Sequence, residues 1–561
     1  MPKLGNPDKR IRWTLLFFIA AFVIIAGKAA RLQTVNAADL SQHDISIKHV
    51  EEIDTPAHRG TIYDRNGNEL AVGIQVKTVI ANPLQVQDPV KTASLLAPLL
   101  KMDPYALQQT LTSGKAAGTG FLYLARKIDA SVGDQVDQLV EKEHLPGIST
   151  RPEEKRVYPQ NQLAAQVIGY AGTDNNGLAG MELQMDSVLK GTEGKQQVIM
   201  AADGSQIDTL SLQDGVPGKD VWLTLDESIQ YETEKVLSDT VKQWHAKGAE
   251  AVVMNPKTGA IYAMASVPTV DANNYPDLTD AERRNRPVTD SYEPGSIFKA
   301  VTSAAALEEK TITPTQTFYL PTELDMGGYT IRDAFDRGPV NWDLGTILMH
   351  SSNVGAIKVG MTVGKDKLND WIRRFGFGVP TGIDFPGETG GIVIQPSQWT
   401  ASTIGNVPIG QGISTTPLQM ATAYATIANG GIRPQPHLVR QEGSQQVAEP
   451  EGKRIISADT ASTLTRLLVG VVADGGAPAA QIEGFQIAGK TGTAQKIDPD
   501  GRYSNTNYIG SFVGYLPAAD PQLLVLVKVD EPHPFGGGMT VAAPAFQKIT
   551  RFAIGKLGIT P

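Results

Sequence analysis

Three short stretches of this chain place a nucleophile or proton carrier beside a group that could activate or orient it: "SIFK" at Ser296 to Lys299, "SSN" at Ser351 to Asn353 and "KTGT" at Lys490 to Thr493. In the first, Pro294 and Gly295 break the preceding segment, and the Ala-rich composition that follows predicts a helix with Ser296 in its first turn. Lys299, three residues on, lies on the same face and can reach the hydroxyl. It can accept a proton only if burial or a neighbouring cation keeps it neutral. A capping serine beside a snorkelling lysine has the same spelling, and "SVLK" at Ser187 to Lys190 matches it equally well. In "SSN", Ser351 offers a hydroxyl that can relay a proton, and Asn353 an amide that can hold a substrate carbonyl. Taken alone, it is also a capping turn. On a strand, "KTGT" would project the Lys490 cation, keep the edge open at Gly492 for an extended peptide, and offer the Thr493 hydroxyl to a carboxylate. A second "KTG", Lys257 to Gly259, falls in a hairpin connection where the glycine serves the turn.

"GFQIAGKT", Gly484 to Thr491, also satisfies the phosphate-loop spelling, with "VLVKVDE" as a conceivable acidic partner strand. That reading needs a flexible glycine-rich turn followed at once by a helix. Here "FQIA" is apolar, and Gly492, Asp498, Pro499 and Gly501 oppose a helix.

These residues must be carried by a chain of 561 residues without cysteine, which excludes disulfides, zinc thiolates and cysteine nucleophiles. Length predicts two to four domains at about 150 residues each. The net charge of −9 and the absence of a long basic run argue against nucleic acid as a partner. At the amino terminus, Lys3, Lys9, Arg10 and Arg12 precede the uncharged run Trp13 to Gly27. A basic flank before such a run reads as cytoplasmic, and extension to Ala30 gives roughly 27 Å of helix, enough to span if Lys28 snorkels. The alternative is a signal peptide cut after Val35-Asn36-Ala37, with Lys28 and Arg31 interrupting the approach to that site. Either way the bulk of the chain lies outside the cytoplasm.

"RGTIYDRNGNELAV", Arg59 to Val72, predicts a hairpin turning at Asn66-Gly67, its charges pairing among themselves. Apolar spacing from Lys91 to Val140 is mostly helical. "LQDGVPGKD" clusters turn formers near Val216, the expected domain boundary, and a strand-then-helix pattern begins at Val221. Strands are predicted at Ala249 to Met254 and Ala260 to Ser266, with three more in "FQIAGKTGTAQK", "YIGSFVGYLP" and "QLLVLVKVDEP". Helices and strands mix without regular alternation, so the class is α+β with an antiparallel sheet.

In order, "SIFK", "SSN" and "KTGT" resemble the three motifs of penicillin-recognising serine D,D-transpeptidases and their β-lactamase relatives. The likeness continues through "RGTIYDRNG", "RVYP", "GMELQMDSVLKG", "NPKTGAIYAMASVP", "NRPVTDSYEPGSIFK", "IGQGISTTPLQMATAYATIANGG" and "GSFVGYLP", so the chain is similar to class B penicillin-binding proteins from about Arg59 to Phe546. "EPGS" before the serine is similar to the division-specific, penicillin-binding protein 3 type.

The resemblance implies a cytoplasmic tail (1–12), a transmembrane anchor (13–32), an elongated pedestal of dimerisation type (33–216) and a transpeptidase domain (217–561) whose antiparallel sheet is flanked by helices. It implies that Ser296 attacks the penultimate D-Ala carbonyl of a peptidoglycan stem with Lys299 as base, and that Ser351 and Lys490 shuttle protons. Asn353 would hold the substrate amide, and Thr491, Gly492 and Thr493 would line the cleft, the threonines taking the terminal carboxylate. Backbone amides of Ser296 and Thr493 would form the oxyanion hole. No metal or organic cofactor is implied. Expected partners are stem peptides and nascent glycan strands, β-lactams as covalent inhibitors, and a membrane-embedded lipid II polymerase with other division proteins. The expected location is the bacterial inner membrane, single-pass, with an extracytoplasmic catalytic domain. An elongation-type enzyme, and a β-lactam sensor or non-catalytic division scaffold, remain as alternatives.

Overall fold

The structure is a computed structural model describing residues 7–34, 49–55, 57–200, 206–475 and 477–561. Lys3 and the Val35-Asn36-Ala37 triplet lie outside the described residues. The chain divides into two compact units.

The first unit comprises 1–57, 75–154 and 192–216. Its helix Pro7–Thr34 contains an apolar stretch, Arg12–Ala30, of 19 residues with mean hydropathy 2.0, long enough to cross a membrane. An antiparallel sheet joins His49–Thr55, Gly194–Met200 and Gln206–Gln213. Further along, the region expected to be mostly helical gives helices Pro89–Leu100, Pro104–Ala116 and Ala130–Glu143. The first two begin alike, with Asp88 and Asp103 accepting from first-turn amides and proline at the first helical position. Between the second and third lies a strand, Leu122–Asp129, pairing with residues 76–81. Its side chains alternate too weakly in burial to announce a period of two. Leu96, Leu107, Leu111 and Val136 form the core.

The second unit gathers 58–74, 155–191 and 217–561. Its centre is a five-stranded antiparallel sheet in the order Ile261–Val267, Gly248–Met254, Leu523–Asp530, Tyr503–Leu516, Ala488–Ile497. The first two strands are buried at every position because both faces are covered. Ala249, Ala251 and Val253 pack with Ile229 of helix Glu227–Gln243 and Phe546 of helix Gly538–Leu557. Val252 and Met254 point the other way, into the core containing Ala304, Leu418 and Tyr424 of helices Lys299–Glu308 and Pro417–Ala428. Helices and strands thus mix as α+β.

The hairpin at Asn66-Gly67 forms, with Gly67 at φ 89° and the Asp64 carboxylate accepting from the amides of Asn66 and Asn68 at 2.7 and 2.8 Å. Its charges do not pair among themselves, as the sequence suggested. Arg59 is buried on Glu182 and Asp186, each at 2.7 Å, and Glu182 also takes Arg156 at 2.6 Å. Asp64 accepts from the Glu227 amide at 3.0 Å. Buried charges need partners wherever the fold brings them, and these partners lie far along the chain.

Candidate active site

Ser296 lies in a 3₁₀ turn, Gly295–Phe298, that runs into the helix Lys299–Glu308. The α-helix proper therefore opens at Lys299 rather than enclosing the serine in its first turn. The tighter turn follows from close packing. Gly295 adopts φ 57°, and a Cβ there would stand 2.8 Å from the Thr493 carbonyl oxygen. Its amide donates to the Gly410 carbonyl at 3.0 Å, and the buried Tyr424 hydroxyl donates to the Ile297 carbonyl at 2.8 Å. Ile297 and Phe298 are fully buried, while Ser296 keeps partial access to solvent. A pinned turn thus presents one hydroxyl.

Lys299 is buried, and its Nζ donates to the Ser351 carbonyl at 2.5 Å, Asn353 Oδ1 at 2.8 Å and Ser351 Oγ at 3.3 Å. Ser351 reaches it through a left-handed backbone, φ 54°, just before the helix Asn353–Val363. Ser352 caps that helix by accepting from the Gly355 amide at 2.9 Å. Asp333 secures the turn from outside, accepting from Ser352 Oγ at 2.9 Å and from the Val354 amide at 3.0 Å. Asn353 Nδ2 donates to the Arg332 carbonyl at 3.0 Å, so its amide is oriented from both ends. Burial, then the Lys490 cation, hold the Lys299 amine well below the ordinary lysine range, with Asp333 opposing. Burial alone brings Lys490 down to about 7. Two lysines that would carry charge in water can here be neutral.

Lys490 to Thr493 sit on Ala488–Ile497, the edge strand of the sheet. Lys490 is buried and donates to the Thr491 carbonyl at 3.3 Å. Gly492 serves a purpose the sequence did not suggest: a Cβ there would lie 2.4 Å from Ser511 Oγ, 3.1 Å from Ile297 Cγ2 and 3.2 Å from the Pro294 carbonyl oxygen. It lets the strand close on the Ser296 turn. Thr493 is exposed and accepts from the Gly538 amide at 3.2 Å.

The structure brings "SIFK", "SSN" and "KTGT" together. Ser187 lies exposed, near the start of the short helix Asp186–Leu189, and Lys257 sits in the turn joining two strands, paired with Asp520 at 2.5 Å. A strand, not a helix, carries "GKT", so the phosphate-loop geometry is absent there. Sequence reading missed Asp333, which no local pattern marks, and the Gly536–Gly538 run that crosses Thr493, which three successive glycines could have flagged. Glu293, quoted only as part of a motif, accepts from the Gly412 amide at 2.9 Å and Tyr503 OH at 3.3 Å, and burial raises its carboxyl.

A sheet edge, a serine turn and a buried lysine in this arrangement define an acylating serine enzyme. Residues 249–551 match the penicillin binding protein transpeptidase domain and residues 54–223 the penicillin-binding protein dimerisation domain. Stage V sporulation protein D of Bacillus subtilis is 34% identical over 99% of this chain and 86% of its own. The peptidoglycan D,D-transpeptidase FtsI of Escherichia coli is 31% identical over 97% and 91%. Penicillin binding protein 3 of Mycobacterium tuberculosis, solved in complex with aztreonam, superposes with a TM-score of 0.70 at 29% identity over 91% of this chain and 98% of that one. The chain belongs to the class B penicillin-binding proteins.

Proposed function

We propose that Ser296 is the nucleophile of a membrane-anchored peptidoglycan D,D-transpeptidase working in septal wall synthesis. The observation that carries this is the buried Lys299 amine, held between Ser351 and Asn353 one helical turn from Ser296 and depressed below its ordinary range. Neutral Lys299 takes the Ser296 proton as Oγ attacks the penultimate D-Ala carbonyl of the donor stem. The backbone amides of Ser296 and Thr493 receive the developing oxyanion. Collapse breaks the peptide bond, the proton passes to the departing D-Ala amine with help from Ser351 and Lys490, and the stem remains as an ester on Ser296. The amine of a neighbouring stem then attacks that ester, forming the cross-link and freeing the serine. Asn353 holds the stem amide, while Thr491 and Thr493 bind the terminal carboxylate. A β-lactam enters as a donor whose acyl group is not passed on.

The 33–216 region serves as pedestal and 217–561 as transpeptidase domain. The Arg12–Ala30 stretch spans the inner membrane, with Lys9 and Arg10 inside and the catalytic residues outside. There the enzyme works on nascent glycan strands beside a lipid II polymerase and other division proteins. The septal assignment is supported by the "EPGS" form and by the FtsI relative.

Incubating the full-length protein in detergent with a fluorescent penicillin tests the assignment. The parent protein becomes covalently labelled, and Ser296→Ala is not, although its thermal unfolding is unchanged. Undiminished labelling of Ser296→Ala overturns the proposal.

A further inference from the structure

Beneath the "SSN" turn lies a second arrangement that the reaction as described does not use. The Asp333 side chain is 1% exposed, and besides holding Ser352 and Val354 it accepts from Arg337 Nε at 2.6 Å. The Arg337 side chain is 7% exposed, its Nη1 donating to the carbonyls of Leu320 and Gly338 at 3.1 and 3.0 Å. Its guanidinium lies 5.1 Å from the centre of the Trp342 ring, and Trp342 stacks on His350 with centroids 4.6 Å apart and planes 19° from parallel. His350 directly precedes Ser351, whose left-handed backbone delivers a carbonyl to Lys299. One arginine therefore touches the turn by two routes, through Asp333 on one side and through Trp342 and His350 on the other.

The charges make this consequential. Lys490, from the edge strand, and Asp333 are the charged groups acting on Lys299. Arg332, next to Asp333, is turned to the surface and paired with Glu323 at 2.6 Å. A carboxylate facing a buried amine draws a proton onto it, which would disable the base. Arg337 sets a guanidinium cation directly on that carboxylate, 2.6 Å away.

We propose that Arg337 is a positioning residue for acylation: it locks the Ser351 turn through Asp333 and the Trp342–His350 stack, and it neutralises the carboxylate that would otherwise hold Lys299 protonated. This rests on Lys299 acting as the base.

The test follows the rate of acylation of the full-length protein by a fluorescent penicillin from about pH 5 to about pH 9. In Arg337→Met the Asp333 charge is uncompensated, so the acid limb moves to higher pH by about one unit, a roughly tenfold loss on that limb with the alkaline plateau retained. Asp333→Asn leaves an uncompensated cation, and its limb moves to lower pH. The double variant returns the limb towards the parent position, as does Arg337→Lys. Either single variant suffices should the other fail to fold. A uniform slowing at every pH, or limbs that ignore both charges, overturns the proposal while leaving the function assignment standing. A parent protein that takes no label at Ser296 overturns both.

Discussion

Lysine 490 shows how much of this site is built by taking water away. The Lys490 ammonium is buried, loses its hydration and has no carboxylate partner among the described residues, so its proton is held weakly, with a value of about 7. The folded value lies below the ordinary lysine value, so the unfolded chain binds the proton more readily. Stability attributable to this group is thus lowest below about pH 7 and rises as pH climbs from about 7 towards about 10. Lys490→Met fills a similar buried volume without a charge to desolvate. Its thermal unfolding temperature near neutral pH is expected to exceed that of the parent, with a flatter dependence above pH 7, while penicillin acylation falls about a hundredfold. A variant that loses both stability and acylation would mean that the lysine is chiefly a packing residue.

Among the elements, the decisive contact is between the Gly295–Phe298 turn and the Ala488–Ile497 strand. Gly295 has both a left-handed backbone and no room for a Cβ against the Thr493 carbonyl, so Gly295→Ala must push the turn and the strand apart. It is expected to cost about 1–3 kcal/mol in stability, read by denaturant unfolding, and to slow acylation by more than tenfold, since the Thr493 amide proposed as an oxyanion donor moves away from Ser296. The turn and the strand were legible in the sequence because each is spelled within a few adjacent residues. Their closeness was not, nor was the close packing of Gly492 against Ser511 and Ile297, which adds to its place on the edge strand. Asp333 stands nineteen residues from the Ser352 it supports, in a loop without periodicity, and Arg59 finds Glu182 across 123 residues. Long-range pairing of charges leaves no local pattern, whereas continuous apolar runs bounded by turn residues did reveal the central strands.

At the scale of the whole molecule, the relatives align with nearly all of this chain, so the amino-terminal region and the catalytic unit form one inherited protein. The apolar helix Pro7–Thr34 and the acylating cleft suit a substrate that is itself assembled at a membrane. The account turns on whether the cleft forms an ester with a donor stem. The direct measurement is mass spectrometry of the full-length protein quenched during turnover on glycan strands bearing stems that end in D-Ala-D-Ala. The account predicts an adduct equal to the donor less one D-Ala, mapped to Ser296 and absent from Ser296→Ala. An adduct on another residue, or turnover by Ser296→Ala at the parent rate, would contradict it.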